Sequence, residues 1–242
     1  ELTNLAPNFD WPGYFAVAPG TGALTRTSIL PRSPVSFADL TVTQVQVASH
    51  DGALVPLTIV APRSAARNAT APAILEAYGA YGHAMEPAFR PSLRAWFDRG
   101  GIYAVAHARG GGELGRDWHL AGQKAAKRNT WLDLVACAEH LAQAGHASPA
   151  RIALSGASAG GLAVVNAMLA RPALFRAVVS EVGFHDAIRV ELAATGPAKV
   201  EEFGSVATPE GFRALLAMSA YANAADGVAY PAVLFTAGYN DP

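Results

Sequence analysis

Ser155-Gly156-Ala157-Ser158-Ala159-Gly160-Gly161 is the stretch that decides the fold. It carries Gly-x-Ser-x-Gly at Gly156, Ser158 and Gly160. The residues before it, Arg151–Ser155, read as a strand. Those after it, Ala159–Ala170, read as a helix that stops before Pro172. A serine on a sharp turn from strand to helix holds its hydroxyl out of the sheet, and its neighbours must be small because the backbone folds back on itself. The helix start adds a positive dipole end that favours a developing oxyanion. The plain alternative is a glycine-rich contact between strand and helix with no chemistry. The strand–turn–helix context favours Ser158 as nucleophile, with the Ala159 amide as one oxyanion donor.

The pattern continues on both sides of this turn. Upstream, Leu40–Ala48 and Leu54–Ala61 alternate apolar and polar residues around Asp51-Gly52, a hairpin signal. Ala73–Tyr78 and Ile102–His107 read as strands, with a short helix over Pro91–Arg99 between them. Asn129–Gly145 has helical spacing and contains Cys137, read as a small core residue. Downstream, Ala177–Glu181 and Val233–Thr236 read as strands, with Gly211–Met218 helical. Alternating strands and helices predict an α/β fold with a mostly parallel central sheet covered on both faces. The Leu40–Ala61 hairpin adds antiparallel strands at one edge.

Composition fits this class. The chain has 242 residues, 51% hydrophobic and 15% charged, which excludes a disordered polymer. The formal net charge of −1 gives no polybasic field for nucleic acid or an anionic membrane. No apolar run reaches the roughly 18–20 residues of a membrane helix. One cysteine forms no internal disulfide and builds no cysteine zinc site.

A serine nucleophile needs a base, and the base needs a carboxylate to orient it. In this architecture the chain order is serine, acid, histidine. Asp241 follows the last strand and fits the acid. The seven histidines, His50, His83, His107, His119, His140, His146 and His185, all precede it and read as surface or loop residues. His83 and His119 fall in loops near the expected site, yet neither stands in the base's place.

Two loops complete the local reading. Tyr78-Gly79-Ala80-Tyr81-Gly82-His83 follows a central strand, where the second oxyanion donor belongs, and the Tyr78 hydroxyl is the candidate. Packing at a strand end is the competing role. Ala108-Arg109-Gly110-Gly111-Gly112-Glu113-Leu114-Gly115 lacks the Gly-Lys-Ser/Thr of a phosphate loop. It reads as a structural loop beneath the site, with Arg109 and Glu113 as ion-pair candidates.

Tyr78–Gly82, Ala108–Gly115 with Trp118-His119 and Gly122, Gly156–Gly161, Arg171-Pro172 with Leu174-Phe175, and Asn240-Asp241-Pro242 occur in a set order over residues 42–242. Together they resemble the peptidase domain of the prolyl oligopeptidase family of serine peptidases. The resemblance implies an α/β-hydrolase fold, incomplete at its C-terminus, over residues 41–242. It implies that residues 1–40, with strand-like Tyr14–Val17 and Leu24–Ile29, are a remnant of the last β-propeller blade and its linker. Ser158 and Asp241 then match the nucleophile and triad acid, and Tyr78 and Ala159 the oxyanion hole. Tyr81, Phe184 and Phe203 match the proline-sized pocket. Lys199 stands where prolyl-specific members carry a tryptophan, so a flat apolar face is missing there. Glu201 and Glu202 resemble the acidic patch by which other members choose Arg or Lys.

The implied activity is hydrolysis of short oligopeptides through an acyl-enzyme, with no cofactor. A carboxylesterase using the same triad, or a catalytically inactive module, are the alternatives. The resemblance implies a catalytic histidine and a substrate-binding arginine beyond Pro242. The expectation is therefore an excerpt of a longer protein, inactive by itself, with apolar surface exposed at its cut edge.

Overall fold

The computed structural model describes residues 15–29, 35–86, 88, 90–193 and 195–239. Two short strands, β1 (Phe15–Val17) and β2 (Leu24–Arg26), pair antiparallel as a separate two-stranded sheet. The remaining strands are β3 (Leu40–Ala48), β4 (Leu54–Pro62), β5 (Ala73–Glu76), β6 (Ile102–Ala106), β7 (Ile152–Ala157), β8 (Ala177–Glu181) and β9 (Ala232–Thr236). They form one seven-stranded sheet in the order β3-β4-β6-β5-β7-β8-β9. The β3–β4 and β4–β6 pairs are antiparallel, and the pairs from β6 to β9 are parallel.

Period-two alternation sends each strand's residues to opposite faces. Val55, Leu57 and Ile59 of β4, with Ile102, Ala104 and Ala106 of β6, enter the main core. Val60 and Tyr103 join a smaller core on the other face, with Leu40 and Phe97. The main core packs against α3 (Arg128–Gln143) and α4 (Ala159–Ala170); Phe97 comes from the short α1 (Arg94–Phe97). Ten of the twelve residues of α4 are buried, so its apolar, small-residue surface is covered all round. Cys137 is fully buried in α3, as its helical setting predicts.

Three short helices carry no periodic signal in the sequence: α2 (Arg116–Leu120), α5 (Gly196–Phe203) and α7 (Ala220–Asn223). α6 (Pro209–Met218) begins two residues earlier than predicted, because Pro209 is a good first helical residue and the Thr208 hydroxyl caps the Gly211 amide at 3.1 Å. The five residues of β9, at one sheet edge, are all exposed. No helix among the described residues is long and apolar enough to cross a membrane.

Candidate active site

Ser158 sits between β7 and α4 with φ 53° and ψ −121°, a conformation that non-glycine residues rarely adopt. Its amide donates to the Glu181 carbonyl at 2.8 Å, and its carbonyl accepts from the Gly161 amide at 2.9 Å. These bonds hold the turn, and the Ser158 side chain is exposed above it. Two glycines permit the close approach. A Cβ on Gly160 would stand 2.5 Å from the Ala77 carbonyl oxygen and 3.3 Å from the Tyr78 Cα. A Cβ on Gly161 would stand 2.8 Å from the Gly183 Cα. The start of α4 is thereby pressed between the Tyr78 loop and the loop that carries Phe184. Ala159 is buried at the first position of α4, where the backbone N–H groups have no intrahelical acceptor.

Tyr78 is half-buried at the end of β5. Burial raises its phenol pKa; a hydrogen bond with the Ser158 side chain opposes that rise, and the Glu202 charge adds to it. Tyr78 and Ser158 are therefore neighbours. Burial, together with Tyr78 and Glu202, pushes the Tyr81 phenol up to about 12. Both tyrosines stay neutral donors at physiological pH.

Beside them stands an aromatic wall. Phe203 is fully buried, with its ring centroid 5.6 Å from Tyr81 and 4.9 Å from Phe184, both edge-on. Lys199 Nζ lies 5.5 Å from the Phe184 ring centroid. The four pocket residues read from the sequence, Tyr81, Phe184, Lys199 and Phe203, are thus one contiguous cluster. A cavity of about 580 Å³ borders Tyr78, Tyr81, Gly82, His83 and Met85. Another, of about 480 Å³, lies over β3, β4 and β6 and touches none of these wall residues.

The Tyr78 loop is anchored from below. Lys127 Nζ donates to the carbonyls of Gly79 at 2.7 Å and Gly122 at 2.9 Å, and pairs with Glu202 at 3.0 Å. Burial lowers the Lys127 pKa, and the Glu202 carboxylate opposes that fall. The other Glu202 oxygen meets His119 Nε2 at 2.7 Å. Glu202 therefore points inward and is fully engaged, which removes it from the acidic patch suggested by sequence. Glu201 is exposed and lies 3.6 Å from Lys124.

The glycine-rich loop 108–115 backs the same structure, with the Gly82 amide donating to the Gly110 carbonyl at 3.0 Å. Arg109 forms ion pairs, but not with Glu113. Arg109 makes hydrogen bonds of 2.6 and 3.0 Å to buried Asp133 and of 2.5 and 3.1 Å to Asp51. Burial works against the Arg109 charge, and the two carboxylates overcome it and raise the pKa. Glu113 meets His107 at 3.3 Å.

The histidines are not all surface or loop residues. His107 and His146 are buried, His140 lies in α3, and His119 lies in α2. His185 bonds to Ser180, and His83 meets the Tyr78 ring edge-on at 5.4 Å. Asp241, the acid read from sequence, lies outside the described residues. Lys127 and Asp133 were not singled out from sequence. The available signal, for Asp133 alone, was a charge on the apolar face of α3, beside buried Trp131 and Leu134.

Residues 87–242 match the model of the prolyl oligopeptidase family. The chain belongs to the prolyl oligopeptidase family. Within it, this chain is 34% identical over 239 residues to a dual function macrocyclase-peptidase of Galerina marginata, covering 96% of this chain and 33% of that protein. It is 35% identical over 199 residues to a prolyl endopeptidase of Elizabethkingia meningoseptica, covering 82% and 28% respectively. A solved prolyl endopeptidase structure is 38% identical and superposes with a TM-score of 0.87 over 91% of this chain and 32% of the other. The α/β-hydrolase fold expected from sequence is that of this prolyl oligopeptidase family member. The chain spans about a third of the length of the curated relatives it matches.

Proposed function

We propose that the protein is a serine peptidase that hydrolyses short oligopeptides. The observation that carries this reading is Ser158, held in its strained turn at the start of α4 beside Tyr78. Ser158 Oγ attacks the peptide carbonyl carbon. The carbonyl oxygen takes the negative charge and accepts hydrogen bonds from the Tyr78 hydroxyl and the Ala159 amide. The amine leaves with a proton, an acyl-enzyme remains on Ser158, and water releases the acid. Asp241 is the triad acid. The base follows the acid in chain order, and none of the seven histidines does. We assign it to the part of the relatives' length that this chain does not span.

Residues 41–242 belong in this reading to the hydrolase domain. Residues 1–40 belong to the last blade of a propeller, a reading supported by the β1–β2 hairpin forming its own sheet. The aromatic wall of Tyr81, Phe184 and Phe203, with Lys199, receives the residue whose carbonyl is attacked, P1.

The test uses the natural protein that carries this sequence. Short peptidyl amides should be hydrolysed, and a fluorophosphonate probe should label wild-type protein and not Ser158→Ala. Turnover of aryl esters alone would replace the peptidase reading with a carboxylesterase. Absence of both turnover and labelling would make the protein a non-catalytic module.

A further inference from the structure

We infer that Lys199 makes the P1 pocket select peptides with an acidic residue, aspartate or glutamate, at P1. The inference rests on the peptidase reading above.

Lys199 is half-buried on α5, one turn before Phe203. Its ammonium lies over the Phe184 ring at 5.5 Å. That contact places the charge but uses none of the three N–H donors in a hydrogen bond. Among the described residues no carboxylate pairs with it. Both candidates on its own helix are committed elsewhere: Glu202 to buried Lys127 and to His119, Glu201 to Lys124. Lys127, the other cation touching the wall, is neutralised by Glu202 beneath Phe203. The unpaired charge of the wall is therefore positive.

The wall adjoins the reacting groups through an unbroken chain of contacts. Lys199 touches Phe184, Phe184 touches Phe203, and Phe203 touches Tyr81. Tyr81 and Tyr78 border one cavity, and the Ser158 side chain acts on the Tyr78 phenol. The Gly161–Gly183 contact brings the Phe184 loop onto the first turn of α4 by a second route. A P1 carboxylate laid along the rings gains a charge-assisted hydrogen bond from Lys199 in a partly desolvated setting. A P1 arginine or lysine meets a like charge there, and a P1 proline leaves the ammonium without a partner.

The experiment compares paired substrates that differ only in P1 glutamate or P1 glutamine, using the natural protein. Because both are read in one preparation, a loss of folded fraction cancels from the ratio. The expected kcat/KM for P1 glutamate exceeds that for glutamine by about 10- to 100-fold. Lys199→Met should bring the ratio near one, and Lys199→Glu should shift preference to P1 arginine. A ratio near one in the wild type, or one that Lys199→Met leaves unchanged, overturns the inference. So does turnover confined to P1 proline, which leaves the peptidase reading standing. No turnover of any peptide and no phosphonate labelling of Ser158 overturns the peptidase reading, and the inference with it.

Discussion

Lys127 and Glu202 meet at 3.0 Å with only 1% and 2% of their side chains exposed. The pair joins the residues just before α3 to the end of α5, and Lys127 also holds the Gly79 carbonyl, next to Tyr78. One buried contact thus ties the Tyr78 loop to the helix that carries Lys199 and Phe203.

Removing one partner leaves a desolvated charge without compensation. Lys127→Met should destabilise the protein by about 3–5 kcal/mol. The double variant Lys127→Met/Glu202→Gln should recover part of that loss. Urea unfolding of the single and double variants measures both. Equal stability of Lys127→Met and wild type would show that the pair contributes nothing.

Tyr78→Phe removes a hydroxyl and leaves the ring in place. If that hydroxyl binds the developing oxyanion, kcat should fall about 10²- to 10³-fold while KM changes little. Steady-state kinetics on a short peptidyl amide decide it. A purely structural Tyr78 would leave kcat nearly unchanged.

Asp51 introduces a pH dependence. The hydrogen bond from Arg109 holds its carboxyl at about 2, against an ordinary value of 3.8. Between these values the unfolded chain binds more protons than the folded one, so stability rises with pH. The contribution is complete above about pH 4 and disappears as pH falls through 2. Asp51→Asn should therefore be less stable than wild type at pH 6, with the gap closing towards pH 2. Asp51 is 40% exposed, so solvent screens the effect and it stays small. Thermal melts across that pH range give the comparison, and a gap independent of pH would contradict the assignment.

Gly160→Ala places a Cβ 2.5 Å from the Ala77 carbonyl oxygen, against backbone that cannot swing aside. The strain should cost about 1–3 kcal/mol. Relief requires α4 to move away from Tyr78, so kcat should fall along with stability. Melting and peptide turnover of the one variant test the two effects together. Wild-type values in both would mean that the turn has slack at this point.

The parts of the fold legible in the sequence are those with a local cause. The β3–β4 hairpin follows from alternation around Asp51-Gly52, and the turn at Ser158 from small residues between strand and helix. α2 and α5 were not legible. They hold five and eight residues, too short for a periodic signal, and tertiary packing sustains them. The backbone positions of Ser158 and Ala159 were legible because the motif fixes them at the junction of strand and helix. The inward turn of Glu202 was not. The resemblance put Glu202 in an acidic patch with Glu201, and the compensating cation comes from 75 residues away.

Taken alone, the sequence determined the strand and helix order, the strained serine turn, the composition of the aromatic wall and the family. The element order and the turn follow from short-range steric and periodic rules, and the family and the wall residues from the resemblance of the motif blocks. Only the tertiary structure decided which charges are spent and which are free. Arg109 takes Asp133 and Asp51 rather than Glu113, Glu202 takes Lys127 and His119, and Lys199 is left facing an aromatic ring. The Arg109–Asp133 and Lys127–Glu202 pairings depend on residues distant in the chain meeting where water is excluded. There the cost of an unpaired charge, rather than local preference, selects the partner.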